Sequence, residues 1–452
     1  MYVCMNDVKW RRRKEADKIA VLPNIYIYFW NPARIRRQTE EKLRELPRRQ
    51  TDQKPPRPKR RPNRTIKTSW RAETQRSITI LPYCYYHNQN ESNAELTANR
   101  PAVSNKRMNN AVHFRESLIS EAQLNECDRI DLNFLGNIQG DTANVVFISY
   151  PECTIRAVDA NILQVPFVEE ALQKNQKDVS SIQDMMGACI RDYFPTRIWK
   201  KVDDAIQAMV QNACMRDFVF LAAEDSFYTM SVSTTTVDHS IISIEIEAAD
   251  KDTASDSFQS TLVFLGQALD NYSSSEDAAK VACDTMFKLV GKFDRGMVYR
   301  FNDDLSGEVI YEVKNPNISS SYMGLTFPHT DIPQSARMLY VKNILQYIKN
   351  VDAEDIPILS RDSEKIDLTQ TRSRCVHKSH LLYLKNMGVK SSMSVAILQH
   401  GELWGLFSFH GYQGPFKPTL YQRVACETTA SCVSARVDSL SKKVRTQKLT
   451  QL

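Results

Sequence analysis

Apolar and polar positions change period several times along the chain. From about Leu118 onward, strand-like runs alternate with runs at helical spacing. Residues 143–149 (ANVVFIS) read as a short buried strand, and 154–158 as a weaker, alternating one. Across 198–214, Val202, Ile206, Met209 and Val210 recur on one side and predict a helix. Residues 218–221, 226–232 and 241–247 (IISIEIE) predict further strands. Short strands with a helical insert predict an α+β domain around an antiparallel sheet over residues 120–250.

Residues 251–257 (KDTASDS) form a polar break and a domain boundary. Helical stretches follow near Phe258 and over 275–292, then alternating strands over 295–301 and 307–313. The next stretch, 322–340 (YMGLTFPHTDIPQSARMLY), is weakly periodic and rich in special residues. Pro328 and Pro333 fix φ and remove two N–H donors. His329, Thr330 and Asp331 lie between them, and Ala336, Leu339 and Tyr340 are spaced for one helical face. On local grounds alone, Thr330 or Asp331 reads as the N-cap of that helix. Residues 343–351 come next, then an acidic polar loop over 352–367. A helix follows near 379–387, with Met387–Gly388 as its glycine-capped end. Strands 391–398 and 403–409 are joined by a tight turn at Gln399–Gly401, and a closing helix starts near Lys417. This pattern predicts a second α+β domain over 256–440, with 441–452 as a helix end.

Charge divides the chain. The net charge is +6 over 452 residues, yet residues 1–75 alone hold 21 Lys and Arg against 8 Asp and Glu. The head is therefore +13 and the remainder −7. Residues 1–115 read as a basic, largely disordered extension, because such a segment buries too little apolar surface to offset chain entropy. Within it, Lys59–Arg60–Arg61 admits a nuclear-import or nucleic-acid contact, with a solvated linker as the preferred reading. The apolar patches at 25–30 and 80–86 have no physical account in a disordered tail. No apolar run is long enough to span a membrane, and the start lacks a signal-peptide core. The expected location is cytoplasmic, or nuclear if the basic patch acts, with no membrane contact. The ten cysteines show no zinc-ligand spacing and read mostly as buried thiols. No nucleophile–base pair or phosphate loop is legible, so no enzyme is expected.

Four ordered blocks then carry a resemblance: FDRGMVYRF (293–301), Asp331–Ile332–Pro333 after Phe327–Pro328, His380 in SHLLYLKNMGVKSSMSV, and His410 ending LWGLFSFH. They resemble the chromophore-binding GAF domain of phytochromes, and the preceding domain resembles the phytochrome PAS domain. Cys127–Asp128, followed by Gly136–Asn137–Ile138–Gln139, is similar to the stretch that carries the bilin-attachment cysteine in bacterial and fungal phytochromes.

The resemblance implies a red/far-red photoreceptor binding a linear tetrapyrrole, with biliverdin favoured. It implies that Cys127 forms the thioether. Ser379 stands where plant phytochromes place their cysteine, and Cys375 is a nearby rival thiol. Asp331 would lie near the pyrrole nitrogens, followed by Ile332 and Pro333. His380 would share an ordered water with the inner rings, and His410 would bond the end-ring carbonyl. Arg374, Tyr340, Ser392 and Ser394 would hold the propionates. Tyr299, Phe327 and Tyr383 would be aromatic neighbours. Two residues depart from the family pattern: His329 replaces a small residue, and Gln346 replaces an arginine that assists a propionate. The chain stops at Leu452, after the helix that leads into the family's PHY domain, which implies incomplete photoconversion. A homodimer and an unidentified downstream partner are implied by family analogy. The competing expectation is a PAS–GAF interaction scaffold that has lost its chromophore.

Overall fold

Two antiparallel sheets, each backed by helices, carry the fold. The computed structural model describes residues 20–22, 25–27, 127–174, 181–212, 216–223, 226–234, 236, 238–249 and 272–450. Residues Met5–Arg76 form a unit apart from the main body. Its described part is a hairpin, β1 (Ala20–Leu22) and β2 (Ile25–Ile27), in antiparallel register. The apolar patch at 25–30 thus contributes a strand. The basic Lys59–Arg60–Arg61 patch, the apolar patch at 80–86, the polar break at 251–257 and the helix expected near Phe258 lie outside the described residues.

The first sheet holds β3 (Asn137–Gln139), β4 (Asn144–Ser149), β5 (Thr154–Asp159), β6 (Arg216–Ala223), β7 (Ser226–Thr234) and β8 (Ile241–Ala249). Helices α1 (Pro166–Lys174) and α2 (Thr196–Asn212) lie between β5 and β6. Ile198, Val202, Ile206 and Met209 are buried on one face of α2 and share a core with Ile242, Ile244 and Ile246 of β8. The helical period and the strand period therefore meet in one layer.

The second sheet runs in the order β11-β10-β9-β15-β14-β12. Its strands are β9 (Arg295–Phe301), β10 (Gly307–Lys314), β11 (Thr326–Phe327), β12 (Leu345–Ile348), β14 (Ser391–Gln399) and β15 (Glu402–Gly411). The β14–β15 turn places His400 at φ 54° and Gly401 at φ 81°, the paired positive angles of a tight hairpin. One sheet face packs on α3 (Ser275–Val290) and α6 (Leu420–Thr450). Small residues make that contact close: Ala278, Ala279, Ala282 and Cys283 on α3 meet Cys426 and Ala430 on α6. The opposite face receives α4 (Gln334–Lys342), and α5 (Lys378–Asn386) follows.

Two expectations are corrected. The acidic segment 352–367 is not merely a loop: it contains β13 (Asp355–Ser360). β13 pairs with β3 and β5 and so completes the first sheet, giving the order β3-β13-β5-β4-β8-β7-β6. Its acidic flanks and Pro357 mask a strand that only a distant partner stabilises. Nor does Thr330 or Asp331 cap α4. The N-cap is Pro333 with no side-chain cap. Instead Asp128 Oδ1 accepts from the Gln334 N–H at 2.6 Å, so the orphan donor of the first turn is satisfied from a distant part of the chain.

Candidate functional site

Register builds the site on the α4-facing side of the second sheet. Alternation along β9 sends Val298 into the helix-packed core and Met297, Tyr299 and Phe301 to the other face. Across the strands, Tyr299 faces Leu406, Met297 faces Ser408 and Arg295 faces His410. His410 then faces Ser392, Ser408 faces Ser394, and Ser394 faces Gln346. The result is a polar band of serines, His410 and Arg295 beside an apolar field of Tyr299, Phe301, Leu406 and Ile332.

The turn at Asp331 closes the apolar end. His329–Asp331 is a single helical turn held between two prolines. The buried Arg337 reaches back from α4 and donates to the carbonyls of His329 (3.0 Å) and Ile332. Backbone and helix are thereby locked around Asp331. Burial pushes the Asp331 carboxyl up to about 6. Burial also raises Tyr299 and Tyr383, and the Asp331 charge raises both further. The three groups are therefore close in space although they are distant in sequence. Phe327 stands 6.1 Å from Tyr299, ring to ring. Gly307 is required here: a Cβ on it would sit 2.0 Å from the Tyr299 ring.

His410 is 5% exposed. Burial, with the nearby Arg295 charge, lowers its imidazole to about 3, so the ring is neutral near pH 7. Its Nε2 lies 3.5 Å from Ser408 Oγ, and its buried Nδ1 has no partner among the described residues. Such an orphan is costly unless something else satisfies it. Arg295 lies in the FDRGMVYRF block, yet its role is not legible in the sequence. It is wholly buried, pairs with Glu312, donates to Tyr412 Oη (3.0 Å) and Ser320 Oγ (2.9 Å), and stacks 3.8 Å over Tyr322. It ties β9, β10 and the chain leading to the Asp331 turn into one frame.

At the other end, Tyr340, Arg374, Gln346 and Cys375 line a narrow cleft together with Leu132, Leu135 and Leu339. Burial raises the Tyr340 phenol, while a bond with Ser394 and the Arg374 charge act in the opposite sense. Tyr340, Ser394 and Arg374 thus converge. Gln346 Oε1 is buried there and has no partner among the described residues. Burial pushes the Cys375 thiol up to about 12, which keeps it protonated and a poor nucleophile.

Ser392 is joined to this end by register alone, Ile332 and Pro333 are buried beside Asp331, and His380 is half-buried in the first turn of α5. Ser379 Oγ lies 2.7 Å from His377 Nδ1. Cys127 opens the helical turn Cys127–Arg129. Through Asp128 and Gln334, that turn is anchored to the start of α4, three residues after Asp331.

A GAF domain family model matches residues 275–435. Over 207 residues the chain is 34% identical to cyanobacterial phytochrome B of Nostoc sp., covering 44% of this chain and 27% of that protein. Over 131 residues it is 41% identical to a bacteriophytochrome of Pseudomonas aeruginosa, covering 28% of this chain and 18% of that protein. The chain therefore spans about a quarter or less of the length of these relatives. Among solved structures, it resembles the chromophore-binding domain of a Stigmatella aurantiaca phytochrome. The TM-score is 0.59 at 25% identity, covering 69% of this chain and 99% of that one. It likewise resembles the chromophore-binding domain of an unusual bacteriophytochrome from R. palustris, with a TM-score of 0.58 at 26% identity, covering 70% of this chain and all of that one.

Proposed function

Given that this chain carries a phytochrome-family chromophore-binding region, we propose that it is a light receptor that binds a linear tetrapyrrole, biliverdin in first place, across the α4-facing side of its second sheet. The observation that carries the reading is the separation of chemical preferences along one face. A carboxylate raised to about 6 sits at one end. A neutral histidine with an orphaned ring nitrogen sits on the polar band. A converging arginine, tyrosine and serine sit at the cleft.

These match, in kind, a cationic set of pyrrole nitrogens, an end-ring carbonyl and two carboxylate arms. Asp331 would offset the positive charge, and its own burial penalty would fall as it did so. His410 would donate a ring N–H to the carbonyl without changing charge. Arg374, Tyr340 and Ser394 would hold a propionate, with Ser392 adjacent, while Tyr299, Phe327 and Tyr383 exclude water. His380 would address the inner rings from α5. Cys127 would attach the pigment, since its turn is tied to the start of α4, whereas Cys375 is held protonated. A bound bilin supplies the light absorption and the isomerisation of its end-ring double bond; the protein orients it and transmits the changed contacts.

The full chain, co-expressed with a biliverdin source, tests this. The expected product has red absorbance and a zinc-fluorescent band on a denaturing gel. Cys127→Ala should lose that band and Cys375→Ala should keep it. A wild type that takes up no pigment would refute the receptor reading and leave the scaffold reading standing.

A further inference from the structure

β8 alternates strictly. Ile242, Ile244 and Ile246 fill the first core, so Ser243, Glu245 and Glu247 point to the opposite face. That face would ordinarily meet water. Here it is covered: Glu245 is 2% exposed and Glu247 is 4% exposed. Glu247 is clamped by Arg423 (2.7 Å) and Lys417 (3.0 Å). Glu245 has no such cation among the described residues. Its carboxylate instead accepts from the Arg372 N–H (3.0 Å), the Ser373 N–H (2.9 Å) and Ser373 Oγ (2.6 Å).

These partners of Glu245 all lie in the two residues before Arg374. The same short segment is gripped from its other side. The Gln139 N–H donates to the Ser373 carbonyl at 2.8 Å, Gln139 Nε2 donates to the Arg374 carbonyl at 3.1 Å, and the Cys375 N–H donates to the Asn137 carbonyl at 3.1 Å. Arg372 extends over Ser231 Oγ and forks onto Glu427 of α6. The segment thus lies between β3, to which a single antiparallel bridge from Arg374 to Ile138 joins it, and the carboxylate of Glu245, and its next side chain, Arg374, lines the cleft.

We propose that Glu245 is a positioning residue for recognition of a carboxylate-bearing arm of the ligand: it fixes the 372–374 backbone and thereby aims the Arg374 guanidinium into the cleft. This rests on the bilin reading above. Glu245 touches no ligand atom. A buried carboxylate that receives two main-chain N–H groups and a hydroxyl is a directional clamp. An amide in its place turns a donor toward donors, and the segment shifts. Arg374 needs the right angle for a bidentate grip on a carboxylate, so a small shift costs the grip before it costs the fold.

The test measures uptake of two probes by the full chain: biliverdin, with free propionates, and biliverdin dimethyl ester, with both capped. Wild type should prefer the diacid. Glu245→Gln should weaken the diacid about tenfold, the scale of one charged hydrogen bond, and leave the ester unchanged. In an Arg374→Gln background, Glu245→Gln should cause no further loss. Ser373→Ala, which removes one donor and keeps the charge, should give a smaller loss of the same selectivity; it decides the matter if Glu245→Gln does not fold by circular dichroism. Equal losses for both probes, or none, would overturn the proposal and leave the receptor reading intact. Wild type binding neither probe would instead sink the receptor reading and this inference with it.

Discussion

Replacing Asp331 by Asn should make the pigment-free protein more stable at neutral pH. The reason is electrostatic. Asp331 is partly buried, and its carboxyl rises from 3.8 to about 6. That rise costs the ionised form about 3 kcal/mol, taken at 1.36 kcal/mol per pH unit. Partial solvent access brings the expectation to about 2 kcal/mol. The sign follows from linkage: a folded pKa above the unfolded one stabilises the fold fully below pH 3.8, and that stability is lost as pH rises toward 6. Asn keeps the shape and removes the titration. In thermal melts of the pigment-free protein, Asp331→Asn should raise the midpoint by roughly 4–8 °C at pH 8, at about 2–4 °C per kcal/mol. The two proteins should converge near pH 4. With biliverdin bound, the order should reverse, because the ligand's positive charge then offsets the carboxylate. A midpoint shift of the same size at pH 4 and pH 8, or a loss of stability at pH 8, would refute the reasoning.

Other outcomes follow from the same structure. Glu247→Gln should destabilise the fold by about 3 kcal/mol in urea titrations, because it leaves Arg423 and Lys417 buried without their carboxylate. Burial raises Glu247, but the charges of Arg423 and Lys417 more than reverse this, to about 2. Its contribution is therefore present above pH 4.5 and is lost as pH falls toward 2, which acid unfolding of wild type and variant will show. Gly307→Ala should cost about 2 kcal/mol through overpacking against the Tyr299 ring and should shift the pigment's absorbance if the ring borders it. Gln346→Arg should tighten diacid over dimethyl ester by about tenfold, by supplying a charged donor at a position whose carbonyl is unsatisfied. An unchanged ratio would exclude Gln346 from the propionate end.

The sequence by itself determined most elements of both sheets, since their strands alternate and their helices carry apolar stripes that need no partner to be recognised. The hairpin turn at His400–Gly401 and the glycine-capped end of α5 were legible for the same local reason. The four ordered blocks carry Asp331, His380 and His410, to which the resemblance adds Arg374. Tertiary structure alone decided the rest. β13 hides in an acidic segment because its partners, β3 and β5, lie some two hundred residues earlier. The cap of α4 comes from Asp128 and not from Thr330 or Asp331, because hydrogen bonding follows space and not sequence. The polar face of IISIEIE reads as a wet sheet face, and only packing against the 372–374 segment and α6 turns Glu245 and Glu247 into buried clamps. Alternation fixes which side of a strand a residue takes, and what covers that side is settled by the rest of the fold.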